Sequence, residues 1–386
     1  MAHCPTILAQ MLHLFSRYEF DKLVWEHKTE RHARGVRSWS HFVAMLFGQL
    51  ASLDSLRGIE AGLATQGKHL YHLGVRPLNR SSLSYANTHR SASLFEDIFQ
   101  HMLSKCQAIA PRHKFRFKNP LYSIDATVIR LCLSLFNWAK FRKTKGAVKL
   151  HVKFNHAGYL PSFALVTTGR VHERRVAPQI PLEAGNVVVF DRGFLDFRYL
   201  KTLEDQGVIF VTRLKSNSAF KVLERHHHSH PNIVADQVIK LTGFYSHKHY
   251  PLPLRRVVAK DPETKKRVVL LTNQFRWAAS TIASIYKERW QIELFFKTLK
   301  QQLMVKSFVG TSENALLSQL WVALIAYLFL SYLKFKSRFQ WSLYTLSNIL
   351  PTNLFSQRNL WDWLNAPYKP FGPSPPMPFQ LELAFG

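Results

Sequence analysis

Tyr286, Arg289, Glu293 and Lys300 stand three, four and seven residues apart in TIASIYKERWQIELFFKTLK, Thr281 to Lys300. At 3.6 residues per turn this spacing predicts one helix edge, with all four inside a stripe roughly 60° wide. A phenol, a guanidinium, a carboxylate and an amine along one edge make a surface that can grip phosphate, with Glu293 as one metal ligand. The plainer reading stays open beside it, since Arg289 and Glu293 at i and i+4 also have the spacing of a surface ion pair. Glu288, the other nearby acid, projects from a different side. Two more carboxylates stand out in a chain with only 24 Asp and Glu. Asp125 sits amid Tyr122, Ile124, Val128 and Ile129, where a charge is costly to bury unless paired or bound to metal. Asp191 follows the apolar run NVVVF, at the carboxyl end of a strand, where ligands collect in open α/β sheets. Alone, each acid could be a turn cap or a structural ion pair; two on neighbouring strands point more firmly to a site.

These residues need elements to hold them. Ile285, Ile292, Phe296 and Leu299 form the apolar face that would bind the 281–300 helix to a sheet. Ahead of it, LYSIDATVIRL reads as a strand, VKLHVKF and YLPSFALVTT as a hairpin around Asn155 to Gly158, NVVVF as a short buried strand, LDFRYLKTLEDQG as a helix and VIFVTRL as a second buried strand. Residues 215–280 read as a β-rich insertion, including two strands joined at Asp261-Pro262-Glu263. RHHHSH, Arg225 to His230, lacks the paired spacing of a zinc site and reads as a solvated loop. Residues 1–110 read as helical, and Val75 to Arg90 carries a short polar helix suited either to a groove of DNA or to plain solvent. The expected organisation is a helical N-terminal DNA-binding domain (1–110), a core in two parts (119–214 and 281–345) around the insertion, and a C-terminal region (346–386) with a Pro-rich irregular tail.

Charge bounds the partners. Fifty-two Lys and Arg against 24 acids leave +28, and the pI is near 10.2. Such a field attracts polyanions, nucleic acid first and an anionic membrane surface second. Cys4, Cys106 and Cys132 have no metal spacing and no even framework, which suits a reducing cytoplasm. The N-terminus lacks the pattern of a signal peptide. Ala315 to Leu333 holds nineteen residues without a charge, which imitates a membrane span. Ser318, Gln319 and Ser331 interrupt it, and a helix-start signal at Thr311 to Asn314 precedes it, so a buried core helix is expected.

The pattern Tyr286-x2-Arg289-x3-Glu293-x6-Lys300 resembles the signature of bacterial DDE transposases of the insertion-sequence-four family. The segments around Asp125 (SIDATVI…LSLFNWAKFRKTKGAVKLH) and Asp191 (VVFDRGFLDF) resemble that family's other two catalytic blocks, with Phe194 where many members have Tyr. The likeness runs to about residue 340. It implies an RNase H-like α/β core, a mixed five-stranded sheet with helices, interrupted by the β-rich insertion. It also implies catalysis by Asp125, Asp191 and Glu293 holding two Mg²⁺, with Mn²⁺ able to substitute, while Tyr286, Arg289 and Lys300 hold phosphates. The implied activity is cut-and-paste transposition through a hairpin, on double-stranded DNA, by a homodimer in the bacterial cytoplasm at the nucleoid, without membrane. Relatives flip a base onto an aromatic residue of the insertion; Trp277 and Phe244 are candidates, though core packing is the expected role of both. A stand-alone nuclease and a catalytically retired DNA-binding protein are the remaining alternatives, with a membrane protein the weakest rival.

Overall fold

The computed structural model describes residues 4–31, 35–142, 145–261, 264–305 and 307–368. Pro262 and Glu263 of the expected insertion turn, and residues 369–386 of the Pro-rich tail, lie outside these. Among the described residues ten strands form one mixed sheet: β1 (Leu121–Leu131), β2 (Lys140–Arg142), β3 (Lys145–Asn155), β4 (Leu160–Thr168), β5 (Val187–Phe190), β6 (Ile209–Arg213), β7 (Phe220–Arg225), β8 (Ile233–Leu241), β9 (Leu254–Lys260) and β10 (Arg267–Thr272). Their order is β2-β3-β1-β5-β6-β10-β9-β8-β7, with β4 also on β3. β1, β3 and β4 pair antiparallel, whereas β5 lies parallel to both β1 and β6. The run VVVF of β5 is buried along its whole length because helices cover both faces there, as parallel strands require. On one face Ile124, Val188 and Phe190 pack with Leu200 and Leu203 of the helix Phe197–Asp205. On the other, Leu121, Val187 and Val189 pack with Ile282 and Ile285 of the helix Ala279–Glu288.

Two expectations need correction. The sheet does not end after five strands: the insertion's β10 pairs antiparallel with β6, and β9, β8 and β7 follow it outward. The insertion thereby satisfies the backbone groups β6 would otherwise leave open at an edge. The 281–300 helix is two helices, Ala279–Glu288 and Trp290–Gln301, that meet at Arg289. There the regular ladder gives way to tighter bonds, from Arg289 N–H to the Tyr286 carbonyl (3.2 Å) and from Ile292 N–H to the Arg289 carbonyl (3.2 Å).

The uncharged stretch forms the helix Glu313–Lys336, capped by Ser312 and enclosed by protein. It belongs to a hydrophobic cluster that also takes in Phe42 and Phe95 of the N-terminal helices, Val152 and Phe154 of β3, Ile292 and Phe296 of the second half-helix, and Leu346 and Trp363 near the C-terminus. The helices before residue 110 therefore share their core with the later parts of the chain. The N-terminal segment is tied down by Leu8 N–H on the Leu354 carbonyl (2.8 Å).

Candidate active site

The parallel pairing of β1 with β5 runs to Ile124 opposite Phe190. Asp125 and Asp191 are the next residues along: Asp125 stands inside β1, which runs on to Leu131, at the point where its pairing with β5 stops, and Asp191 follows the carboxyl end of β5. By alternation they share the face that carries Leu121, Val187 and Val189, the face covered by the helix Ala279–Glu288. Asp191 opens a tight turn in which its Oδ1 accepts from Gly193 N–H at 2.7 Å. A Cβ on Gly193 would stand 2.9 Å from that same oxygen, so glycine permits the approach. Asp125 is largely buried, and its Oδ1 accepts from Ala126 N–H at 2.7 Å. Burial pushes its carboxyl up to about 6, and the charges of Asp191 and Glu293 push the same way against the pull of Ala126 N–H and Arg289. The influence of both on Asp125 places the three carboxylates in one electrostatic neighbourhood.

Arg289 links them. Its Nη1 donates to Asp125 Oδ2 at 3.1 Å and its Nη2 to Glu293 Oε1 at 2.6 Å. The guanidinium is 15% exposed, which separates it from the solvated i,i+4 pair that the spacing alone also allowed. Burial lowers its pKa, but the bond to Glu293 and the nearby Tyr286, Asp125 and Glu293 outweigh that and leave it raised, so the charge is permanent. The Tyr286 ring lies 5.8 Å from the guanidinium carbon. Lys300 reaches back to β1, where its Nζ donates to Thr127 Oγ1 and to the Val128 carbonyl at 3.0 Å. The break at Arg289 does not scatter the stripe: Tyr286, Arg289 and Glu293 stay together beside Asp125, and Lys300 closes on the same strand two to three residues further along.

Three other expectations can be placed. Trp277 stacks on Phe117 at 4.3 Å and packs against the core, as expected. Phe244 is 88% exposed, which corrects its expected packing role; the short helix Phe244–His249 buries none of its residues. His226 follows the end of β7 in a loop and faces Glu224 and Asp236 at 3.3 and 3.7 Å, while the other histidines of RHHHSH assemble no metal cluster among the described residues.

Sequence reasoning missed Glu288. Although off the stripe, it is 5% exposed, accepts from Tyr159 Oη at 2.8 Å and pairs with Lys114. Burial raises its pKa, but Lys114 and Tyr159 prevail and hold it below the usual carboxylate range. Helical spacing carried no signal for this, because Tyr159 and Lys114 lie far away in the chain.

The sheet thus brings Asp125, inside β1, beside Asp191, just past the end of β5, and Arg289 ties Glu293 of the helix Trp290–Gln301 to Asp125. Residues 116–329 match the profile described as the transposase DDE domain, and residues 3–76 match a domain of unknown function, DUF4372. The chain belongs to the DDE transposase family, enzymes that cleave DNA and transfer strands with the help of a divalent metal, generally Mg²⁺. It is 30% identical to the transposase-family protein y4zB of Sinorhizobium fredii over 74% of this chain and 79% of that one. It is 32% identical to a probable transposase for insertion sequence element IS5377 of Geobacillus stearothermophilus, over 60% of this chain and 61% of that one. Among solved structures, a piggyBac transposase synaptic complex with hairpin DNA aligns over 92% of this chain and 83% of that one, at 12% identity and a TM-score of 0.43. The domain profile and the two sequence relatives make the protein a transposase of insertion-sequence type.

The donor set suits the metal in chemistry: three carboxylates supply the hard oxygens that Mg²⁺ prefers. Their arrangement carries a condition. Among the described residues no three acids or histidines are grouped closely enough to hold one ion, and the Arg289 guanidinium stands between Asp125 and Glu293. In this arrangement the guanidinium occupies carboxylate oxygens that a divalent ion would need.

Proposed function

We propose that Asp125, Asp191 and Glu293 are the catalytic, metal-binding carboxylates of a cut-and-paste transposase of the insertion-sequence-four family, with Tyr286, Arg289 and Lys300 as its phosphate-holding residues. The observation that carries this reading is the placement of Asp125 on β1 and Asp191 just past β5, where the parallel pairing of the two strands stops, with Glu293 joined to Asp125 through Arg289. In this reading β4, β3, β1, β5 and β6 are the strands of an RNase H-like core, residues 215–280 are its insertion, and residues 1–110 bind the transposon end.

Two Mg²⁺, replaceable by Mn²⁺, would supply charge stabilisation to the attacking and departing oxygens. The chain's own groups do the rest. The three carboxylates, ionised, offer the oxygens that bind metal. Arg289 gives one face of its guanidinium to phosphate when it leaves Asp125, and Tyr286 and Lys300 flank it with a hydroxyl and a second cation. Water breaks the phosphodiester at the element's end and leaves a 3′-hydroxyl. That hydroxyl attacks the opposite strand, displacing the flanking 3′-oxygen and closing a hairpin, which a second hydrolysis reopens before insertion into target DNA. Two protomers pair two ends. The charge of +28 supports broad contact with the DNA backbone. Acting on DNA, the enzyme works in the cytoplasm, at the nucleoid, and the apolar helix Glu313–Lys336 serves as core and not as a membrane span.

The test is Mg²⁺-dependent cleavage of a duplex bearing the element's terminal repeat. Asp125→Asn, Asp191→Asn and Glu293→Gln should each abolish cleavage while gel-shift affinity changes little. Normal cutting by any one of them removes that residue from the site.

A further inference from the structure

Glu288 precedes the break between the two half-helices. It is 5% exposed, a costly place for a carboxylate, and it is held by two groups from distant segments. Tyr159 Oη donates to its Oε1 at 2.8 Å, and Lys114 Nζ pairs with its Oε2. Tyr159 is itself fixed. It lies in the β3–β4 turn with φ at +57°, in the left-handed region, and its carbonyl accepts from Tyr327 Oη of the long buried helix at 2.9 Å. The same turn grips β1. His156 N–H donates to the Leu121 carbonyl at 3.0 Å, and the His156 ring bonds Ser123 Oγ at 2.7 Å through Nε2. Ser123 shares its strand face with Asp125, two residues on. One buried polar cluster therefore touches the strand that carries Asp125 and the helix end that presents Arg289.

The apolar contacts of this helix cannot do the same work. Ile282 and Ile285 attach it to the sheet, yet hydrophobic contact is non-directional and tolerates small rotations and slides. At Arg289 the backbone ladder is also interrupted, so it does not by itself set the angle of Trp290–Gln301 against Ala279–Glu288. A directional clamp at Glu288 does. Its own oxygens are taken by Tyr159 and Lys114, so it acts through its neighbours and not on DNA.

We propose that Glu288, clamped by Tyr159 and Lys114, is a positioning residue for DNA cleavage that fixes the helix junction and so sets Arg289 and Glu293 against Asp125 and Asp191. This rests on the carboxylate assignment above, and the experiment separates the two. Hydrogen exchange of the full-length protein is followed over residues 289–296, with the helix Ser38–Leu50 as a remote reference, and kcat and KM are measured on the repeat-bearing duplex. The variants are Glu288→Ala, Glu288→Gln, Tyr159→Phe, and Tyr159→Phe combined with Glu288→Ala.

In Glu288→Ala, exchange over 289–296 should quicken about tenfold while Ser38–Leu50 stays as in the parent. The kcat should fall by up to about 100-fold, the scale set by a misplacement near 1 Å, with KM unchanged. Glu288→Gln still accepts from Tyr159 and should recover most of the loss. The double variant should be no worse than Glu288→Ala. Unchanged exchange over 289–296, an increase shared equally by Ser38–Leu50, or a rise in KM in place of a fall in kcat overturns the proposal. Should Glu288→Ala not fold, Tyr159→Phe and Glu288→Gln carry the same comparison. A parent that cuts no duplex defeats the functional reading, and the exchange result then decides the positioning role alone.

Discussion

Asp125→Asn should make the folded protein more stable at pH 8 while removing its cleavage activity. The carboxyl has an ordinary value of 3.8 and is pushed up to about 6 in the fold, chiefly by burial. A rise of about two units at roughly 1.36 kcal/mol each sets about 3 kcal/mol as the ceiling of the destabilisation that the ionised group brings. The direction with pH follows from proton binding. Below pH 3.8 Asp125 is protonated in both the folded and unfolded chain and costs nothing. As pH rises through the interval from 3.8 to about 6, the unfolded chain gives up the proton more readily, so folding loses stability, and above that interval the full cost is in place. Asparagine keeps an oxygen for Ala126 N–H and carries no charge, and Arg289 retains Glu293 as partner. Urea unfolding of both proteins in chelator should show the variant about 2–3 kcal/mol more stable at pH 8 and nearly equal near pH 4. A variant that is no more stable at pH 8, or a gap that does not close on acidification, refutes the claim that burial strains this carboxylate.

Arg289→Ala should bind Mn²⁺ more tightly than the parent in the absence of DNA, by about tenfold. The guanidinium makes two charge-assisted bonds, each worth roughly 1.5–3 kcal/mol, that a cation must displace. Titration calorimetry reads this, exposed Lys287→Ala on the same helix is the control, and weaker or equal binding by the Arg289 variant sinks the displacement idea. DNA-end affinity should fall at least about tenfold between roughly 50 and 200 mM salt, because a chain of this charge releases many counterions on binding. A gel-shift series in which affinity ignores salt contradicts the electrostatic reading.

Much of the candidate site was legible because strands and helices repeat locally. The apolar runs marked Asp125 within one strand and Asp191 at the carboxyl end of another, and 3.6-residue spacing placed Tyr286, Arg289 and Glu293 on one edge. The uncharged run 315–333 was readable as a core helix from its interrupting polar residues and its start signal, and it lies buried as Glu313–Lys336. The same local rules failed wherever a partner came from elsewhere in the chain. Glu288 read only as an acid off the stripe, since nothing near it in sequence announces Tyr159 and Lys114. The helix read as continuous because its spacing runs from 281 to 300 without Gly or Pro, and the break at Arg289 shows only in the backbone bonds. Phe244 looked fit for a core, yet it stands exposed.

Local periodicity thus determined which residues are strand, helix and edge, and composition determined the attraction to polyanions. The tertiary structure decided what meets what: the insertion extends the sheet past β6, the first helices share one core with the last, and Arg289 bridges two acids 164 and 4 residues away from it. Backbone propensity is set by neighbours a few positions away, whereas pairing of edges and burial of charges depend on groups brought together only when the chain closes on itself.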